Sequence, residues 1–145
     1  MLANGSSPGA TPDPPALGRR LVWLTIEWGL FAVWIADAAL VMAHRHVGFF
    51  TNHAADLTLP AWLYVITRKA RHQSVARWRR WLVCAPPVAL AILFFAASTA
   101  TEICQYFWPH GLFPGTFDPL DILSYGIGLG VCCALDLLYP IPARN

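Results

Sequence analysis

The sequence predicts an all-α membrane protein, a bundle of four transmembrane helices with both termini cytoplasmic. Three observations carry this. The chain of 145 residues is 57% hydrophobic and only 12% charged, about half the charge of an ordinary soluble domain. Seven Trp, eight Phe and four Tyr suit aromatic belts at lipid–water boundaries. The basic residues, counted along the chain, gather on one side of the four apolar runs.

Residues 1–18, MLANGSSPGATPDPPALG, are rich in Pro, Gly, Ser and Ala and show no apolar periodicity. Such a segment buries too little surface to offset its ordering entropy, so a disordered tail is expected. It lacks the basic segment and short apolar core of a signal peptide. The remaining residues, 19–145, are expected to form a single domain. Its first span is LVWLTIEWGLFAVWIADAALVMA, residues 21–43. At about 1.5 Å per helical residue it reaches ~34 Å, enough for a hydrocarbon core of ~30 Å. Residues 82–101 and 119–139 give two more spans, the latter opened by Pro119 and followed by Pro140.

Residues 47–67, VGFFTNHAADLTLPAWLYVIT, are long enough to cross but contain Asn52, His53, Asp56 and Pro60. They read either as a full span or as a re-entrant or interfacial segment. Charge placement favours the span. With four crossings, Arg19, Arg20, Arg68, Lys69, Arg71, Arg77, Arg79, Arg80 and Arg144 share one side, and Arg45 alone takes the other. Three crossings would split the basic groups and lose the bias. A multi-pass protein of the inner (plasma) membrane is therefore expected.

Two features exclude function classes. The basic stretch RKARHQSVARWRR reads as a topology determinant that touches anionic membrane lipid, and no nucleic-acid partner is expected. Cys84, Cys104, Cys132 and Cys133 have no zinc-site spacing and read as small buried hydrophobes. No Ser/His/Asp order, phosphatase signature or phosphate loop is apparent, so no nucleophile stands out.

The acidic groups instead collect at the outer edge. Asp56 opens the second span, Glu102 and Gln105 end the third, and Asp118 and Asp121 start the fourth. Ser98, Glu102 and Gln105 share one helix face, as do Asp118, Asp121 and Tyr125. Gly126 and Gly130, with Gly128 between, offer a small-residue face for close helix approach. Asp118 ahead of Pro119 is accounted for by helix capping. Glu102 is not, because it sits at a helix C-terminus where the dipole opposes it, and ionisable groups at membrane depth mark candidate sites. Glu27 and Asp37 lie about 15 Å apart along the first span. Asp37 reads as joining the outer cluster, opposite His53, and Glu27 as pairing with a loop arginine or staying protonated, or both read as structural polar groups facing the bundle. Asp136 reads as interfacial. Tyr106, Phe107 and Trp108, with the loop HGLFPGTF, read as an amphipathic lid or as an aromatic anchor.

The order Glu102-x-x-Gln105, a short aromatic loop, then Asp118-x-x-Asp121 and a Gly-rich helix with Gly128 resembles the VanZ-like membrane proteins. Asp56 ahead of LTLPAWLY resembles the acidic residue opening an earlier helix of that family. Tyr125 stands where Asn is common there, a variant that looks like a related uncharacterised family of similar layout, and His110 is the only polar candidate in a loop that often carries Arg. VanZ itself is linked to low-level teicoplanin resistance, so the resemblance implies a cell-envelope or glycopeptide response.

The residue types define the chemistry to be expected. Glu102, Gln105, Asp118, Asp121, Asp56 and Tyr125 form a carboxylate–amide pocket for a polar ligand, lipid headgroup or divalent cation. Asp56, Glu102 and Asp121 are the candidate metal ligands, their hard oxygens suiting Mg²⁺, Ca²⁺ or Mn²⁺. The competing expectation is an accessory subunit whose polar cluster locks the bundle or docks another membrane protein or a second copy of the chain.

Overall fold

The computed structural model describes residues 14–45, 48–70, 80–108, 110 and 117–142. Among them every regular element is helical: α1 (Pro14–Met42), α2 (Phe49–Lys69), α3 (Arg80–Val83), α4 (Pro87–Phe107) and α5 (Pro119–Leu138). Of these, α1 from Leu17, α4 and α5 are long and apolar enough to cross a membrane. The polar residues of α2 leave it outside that group, although it is as long as α4. The N-terminal tail before Pro14, most of the basic stretch and most of the HGLFPGTF loop lie outside the described residues.

Local chemistry sets the helix ends. α1 begins at Pro14, five residues before the expected domain start. It closes in a Schellman turn: the Arg45 N–H reaches the Leu40 carbonyl at 3.0 Å and the His44 N–H that of Val41 at 3.0 Å. His44 takes the left-handed conformation this turn requires, φ 53°, where glycine is usual. Gly48, φ 54°, precedes α2. Residues 82–86, expected inside the third span, instead divide between α3 and a break. Pro87 forces Pro86 into extended backbone, ψ 151°, and then opens α4 at its first position. Within α2, Pro60 has no N–H for the Asp56 carbonyl four residues earlier, so the helical ladder is interrupted beside the acidic cluster.

α2 and α5 are the central pair and run parallel. The contacts His53–Asp121, Asp56–Tyr125 and Arg68–Asp136 follow one another along both helices. Their backbones come very close. A Cβ on Gly128 would lie 2.1 Å from the Leu57 carbonyl oxygen, whereas one on Gly126 meets only Phe95 at 3.5 Å and one on Gly130 meets nothing within 4 Å. The expected Gly126/Gly130 face is thus corrected to Gly128 alone. α1 packs antiparallel on α2, with Phe31 on Trp62 at 5.2 Å between ring centroids and Lys69 paired to Glu27. Glu27 therefore takes a lysine of α2, not a loop arginine.

The apolar core lies in the half of the bundle away from Asp56, Glu102 and Asp121. Trp23, Ala61, Tyr64, Val65, Leu90, Leu129, Cys132 and Cys133 form it. Cys84 and Cys104 are exposed, so only two of the four cysteines are core hydrophobes. The Trp23 indole N–H donates to the Tyr139 carbonyl at 2.9 Å. This fastens the start of α1 to the end of α5.

Asp136, expected at an interface, is fully buried. Its carboxylate accepts from Arg68 Nε at 2.6 Å, the Tyr64 hydroxyl at 2.8 Å and the Ile141 N–H at 3.1 Å. Arg68, expected in the inner loop, is buried with it and also donates to the Ala85 carbonyl at 3.1 Å. Breaking such a pair leaves an uncompensated charge and costs about 3–5 kcal/mol, whereas replacing both partners with apolar residues of similar size costs far less. Thermal unfolding in detergent should therefore show a large fall for Asp136→Leu and for Arg68→Leu, and a much smaller one for the double variant. A second pair of variants checks the backbone contact. Gly128→Ala should destabilise by about 1–3 kcal/mol through overpacking, while Gly130→Ala should leave the unfolding midpoint unchanged or slightly raised.

Candidate functional site

The acidic cluster forms where α2 and α5 begin and α4 ends. Each helix contributes through its own spacing. On α2, His53 and Asp56 are three residues apart. On α5, Asp121 and Tyr125 are four apart, so each pair shares a face. Because α2 and α5 run parallel, the two pairs meet in the same order: His53 Nδ1 lies 2.6 Å from Asp121 Oδ1, and the Tyr125 hydroxyl lies 3.1 Å from Asp56 Oδ1. α4 runs alongside and brings in Glu102, whose Oε1 is 2.8 Å from the same hydroxyl.

Glu102 shows how the tertiary fold stabilises a carboxylate that its own helix disfavours. It lies near the C-terminal end of α4, where backbone carbonyls repel negative charge. It is nevertheless only 3% exposed. The compensation comes from α5. The Tyr125 hydroxyl reaches one oxygen, and the Asp118 backbone N–H, at the N-terminal end of α5, faces the other at 3.5 Å. Glu102 is at the wrong end of one helix dipole and the right end of the next.

Asp118 itself is a cap. Its Oδ1 accepts from the Leu120 N–H at 2.8 Å, with Pro119 at the first helical position, so its side chain is spent on the helix end and only its backbone reaches Glu102. Gln105 is half-buried on α4 and, among the described residues, makes no hydrogen bond to the cluster. Asp37 is buried, but its Oδ1 has no hydrogen-bond partner among the described residues. Continuing the Glu27–Lys69 and Phe31–Trp62 register brings Asp37 level with the Asp56–Thr58 turn of α2, on the face of α2 turned to α1. The expected pairing with His53 is not made by this carboxyl: His53 meets Asp121.

The arrangement brings together Asp56, Glu102, Asp121 and Tyr125 of the expected set and adds His53. His53, Asp56 and Asp121 each offer a ligand atom, and these atoms lie within 4.8 Å of one another. Two ligands each about 2.1 Å from one ion are at most about 4.2 Å apart, so a small side-chain adjustment would close the three on a cation. Three carboxylates in so enclosed a place also carry excess negative charge, which must be neutralised by protons or by a cation. A tyrosine hydroxyl has one proton. It donates to one of Asp56 and Glu102, and contact with the other needs a further proton or an ion. The His53 contribution was readable in principle from His53-x-x-Asp56 on α2, set against Asp121-x-x-x-Tyr125 on α5, but only the parallel packing gives that match its meaning.

Comparison with protein families, with curated proteins and with solved structures finds no match for this chain.

If the Tyr125 hydroxyl is what satisfies buried Glu102, Tyr125→Phe should lower stability by about 1–3 kcal/mol, the cost of an unsatisfied buried acceptor. Asp118→Asn keeps an equally good cap and should stay within about 0.5 kcal/mol of wild type. Thermal unfolding of the two variants in the same detergent separates the roles.

Proposed function

We propose that this chain is a membrane protein with a polar-ligand site at one membrane edge, and that a divalent cation is the ligand its donor set fits best. The observation that carries the reading is the convergence of His53, Asp56 and Asp121 within 4.8 Å, with Glu102 joined through Tyr125. An imidazole beside two carboxylates suits Mn²⁺ or Zn²⁺ better than Mg²⁺ or Ca²⁺, which prefer oxygen alone. In this reading the chain crosses four times with both termini cytoplasmic, which the nine-to-one distribution of basic residues supports. That orientation puts the cluster at the outer face of the plasma membrane. The chain is in this reading a relative of the VanZ-like proteins with a role in the cell envelope, supported by the spacing Glu102-x-x-Gln105 and Asp118-x-x-Asp121.

One observation favours a second reading, a cluster that locks the bundle for an accessory subunit. His53 pairs with Asp121, and Asp56 and Glu102 share Tyr125, so the side chains find partners within the protein.

Cation titration separates the two. Protein purified with a chelator and then given Mn²⁺ or Zn²⁺ should show a rising unfolding midpoint, the unfolding free energy growing by about 2.7 kcal/mol at a hundredfold excess over the dissociation constant. Asp121→Asn and His53→Ala should abolish the rise. If no divalent cation moves the midpoint while both substitutions simply destabilise, the cluster is structural and the ligand site is refuted.

A further inference from the structure

At the opposite end of the bundle lies a cavity of about 420 Å³, lined by Arg20, Trp23, Leu24, Glu27, Trp28, Lys69, Ile141 and Pro142. That volume is in the range of small-molecule sites. We propose that it holds the phosphate of an anionic phospholipid from the adjoining leaflet, with the acyl chains lying along α1.

The lining gives the charge. Two cations, Arg20 and Lys69, line the pocket beside one anion, Glu27. Lys69 pairs with Glu27, yet an ammonium has three donors, so Lys69 keeps hydrogen-bonding capacity toward a phosphate ester, and Arg20 brings a second cation to the lining. The floor is fixed. Trp23 is buried, and its N–H is tied to the Tyr139 carbonyl. Trp28 forms an outer wall and is 62% exposed, the placement of an interfacial tryptophan.

Depth agrees with a headgroup. From Arg20 to Met42 α1 rises ~33 Å, about one hydrocarbon thickness, which puts Arg20 at a bilayer boundary. A lipid is favoured over free phosphate by what leads out of the cavity. Leu17, Leu21, Leu24, Trp28 and Ile35 recur at helical spacing and are all exposed. They make an apolar stripe that passes the pocket mouth at Leu24 and Trp28. Only 6% of the apolar window of α1 is buried within the protein. Such a stripe fits acyl chains and has no use in binding an inorganic ion.

The test uses the full chain in detergent, titrated with phosphatidylglycerol, phosphatidylcholine or inorganic phosphate and followed by native mass spectrometry. Phosphatidylglycerol should remain bound at several-fold lower concentration than phosphatidylcholine. Arg20→Gln should weaken it about fivefold, the equivalent of about 1 kcal/mol for one basic residue at a membrane surface. Arg80→Gln, at an exposed position outside the cavity, should not. Quenching of wild-type tryptophan fluorescence by brominated phosphatidylglycerol gives a measurement independent of any variant's folding. It should exceed that by brominated phosphatidylcholine. Equal retention of the two lipids, equal quenching by them, or equal loss in the Arg20 and Arg80 variants overturns the site. Displacement of the lipid by inorganic phosphate at comparable concentration overturns the assignment to a lipid.

Discussion

The fold depends on a buried charge pair. Arg68 and Asp136 meet in the apolar half of the bundle, with the Tyr64 hydroxyl and the Ile141 N–H completing the carboxylate's partners. Where water is scarce, an unpaired charge is far more costly than a paired one. The pair therefore tolerates little sliding of α2 along α5. A shift of one helical turn, about 5.4 Å, would carry contacts of 2.6–2.8 Å well beyond hydrogen-bonding distance. The clamp penalises every register except one.

That register is what assembles the acidic cluster at the other end. Arg68 against Asp136 places the Leu57 backbone against Gly128, Asp56 near Tyr125 and His53 against Asp121, all on the same two parallel helices. Gly128 makes the intermediate contact feasible, because only a residue without Cβ lets the α2 carbonyl come so near. Pro60, by removing the hydrogen bond that would end on the Asp56 carbonyl, interrupts the helix between the clamp and the cluster. The two ends are connected through a short stretch of α2 and α5, and α4 then adds Glu102 from the side.

The molecule divides its tasks along its length. One half is apolar and fastened, by Arg68–Asp136, Lys69–Glu27 and the Trp23–Tyr139 hydrogen bond. The other half holds most of the uncompensated negative charge. Large apolar side chains on α1, α4 and α5 face outward, as expected where the surrounding solvent is hydrocarbon instead of water. In such a solvent apolar burial contributes little to helix association, and close packing and polar contacts decide it. This accounts for a small core of mostly modest side chains held between polar fastenings.

The sequence by itself determined the elements and the general place of the charges. Composition and run length mark the apolar helices, because crossing a hydrocarbon layer imposes a length and an apolarity that read directly from residue order. Pro119 after Asp118 marks a capped helix start for an equally local reason. The spacing of Glu102, Asp121 and Tyr125 brings each onto a definable helix face, and Asp56 is marked by standing ahead of the apolar run of its segment. What the tertiary structure alone decided is partnership. Asp136 reads as an interfacial carboxylate until Arg68 comes to it from 68 residues away. His53 reads as one polar residue among several in residues 47–67 until Asp121 does the same, and Gly128 looks no different from Gly126 or Gly130 until α2 lies against it. Periodicity fixes which side of its own helix a residue occupies. Whether two such sides meet, and whether the helices meeting are parallel or antiparallel, depends on packing between segments distant in the chain, and no single segment encodes that.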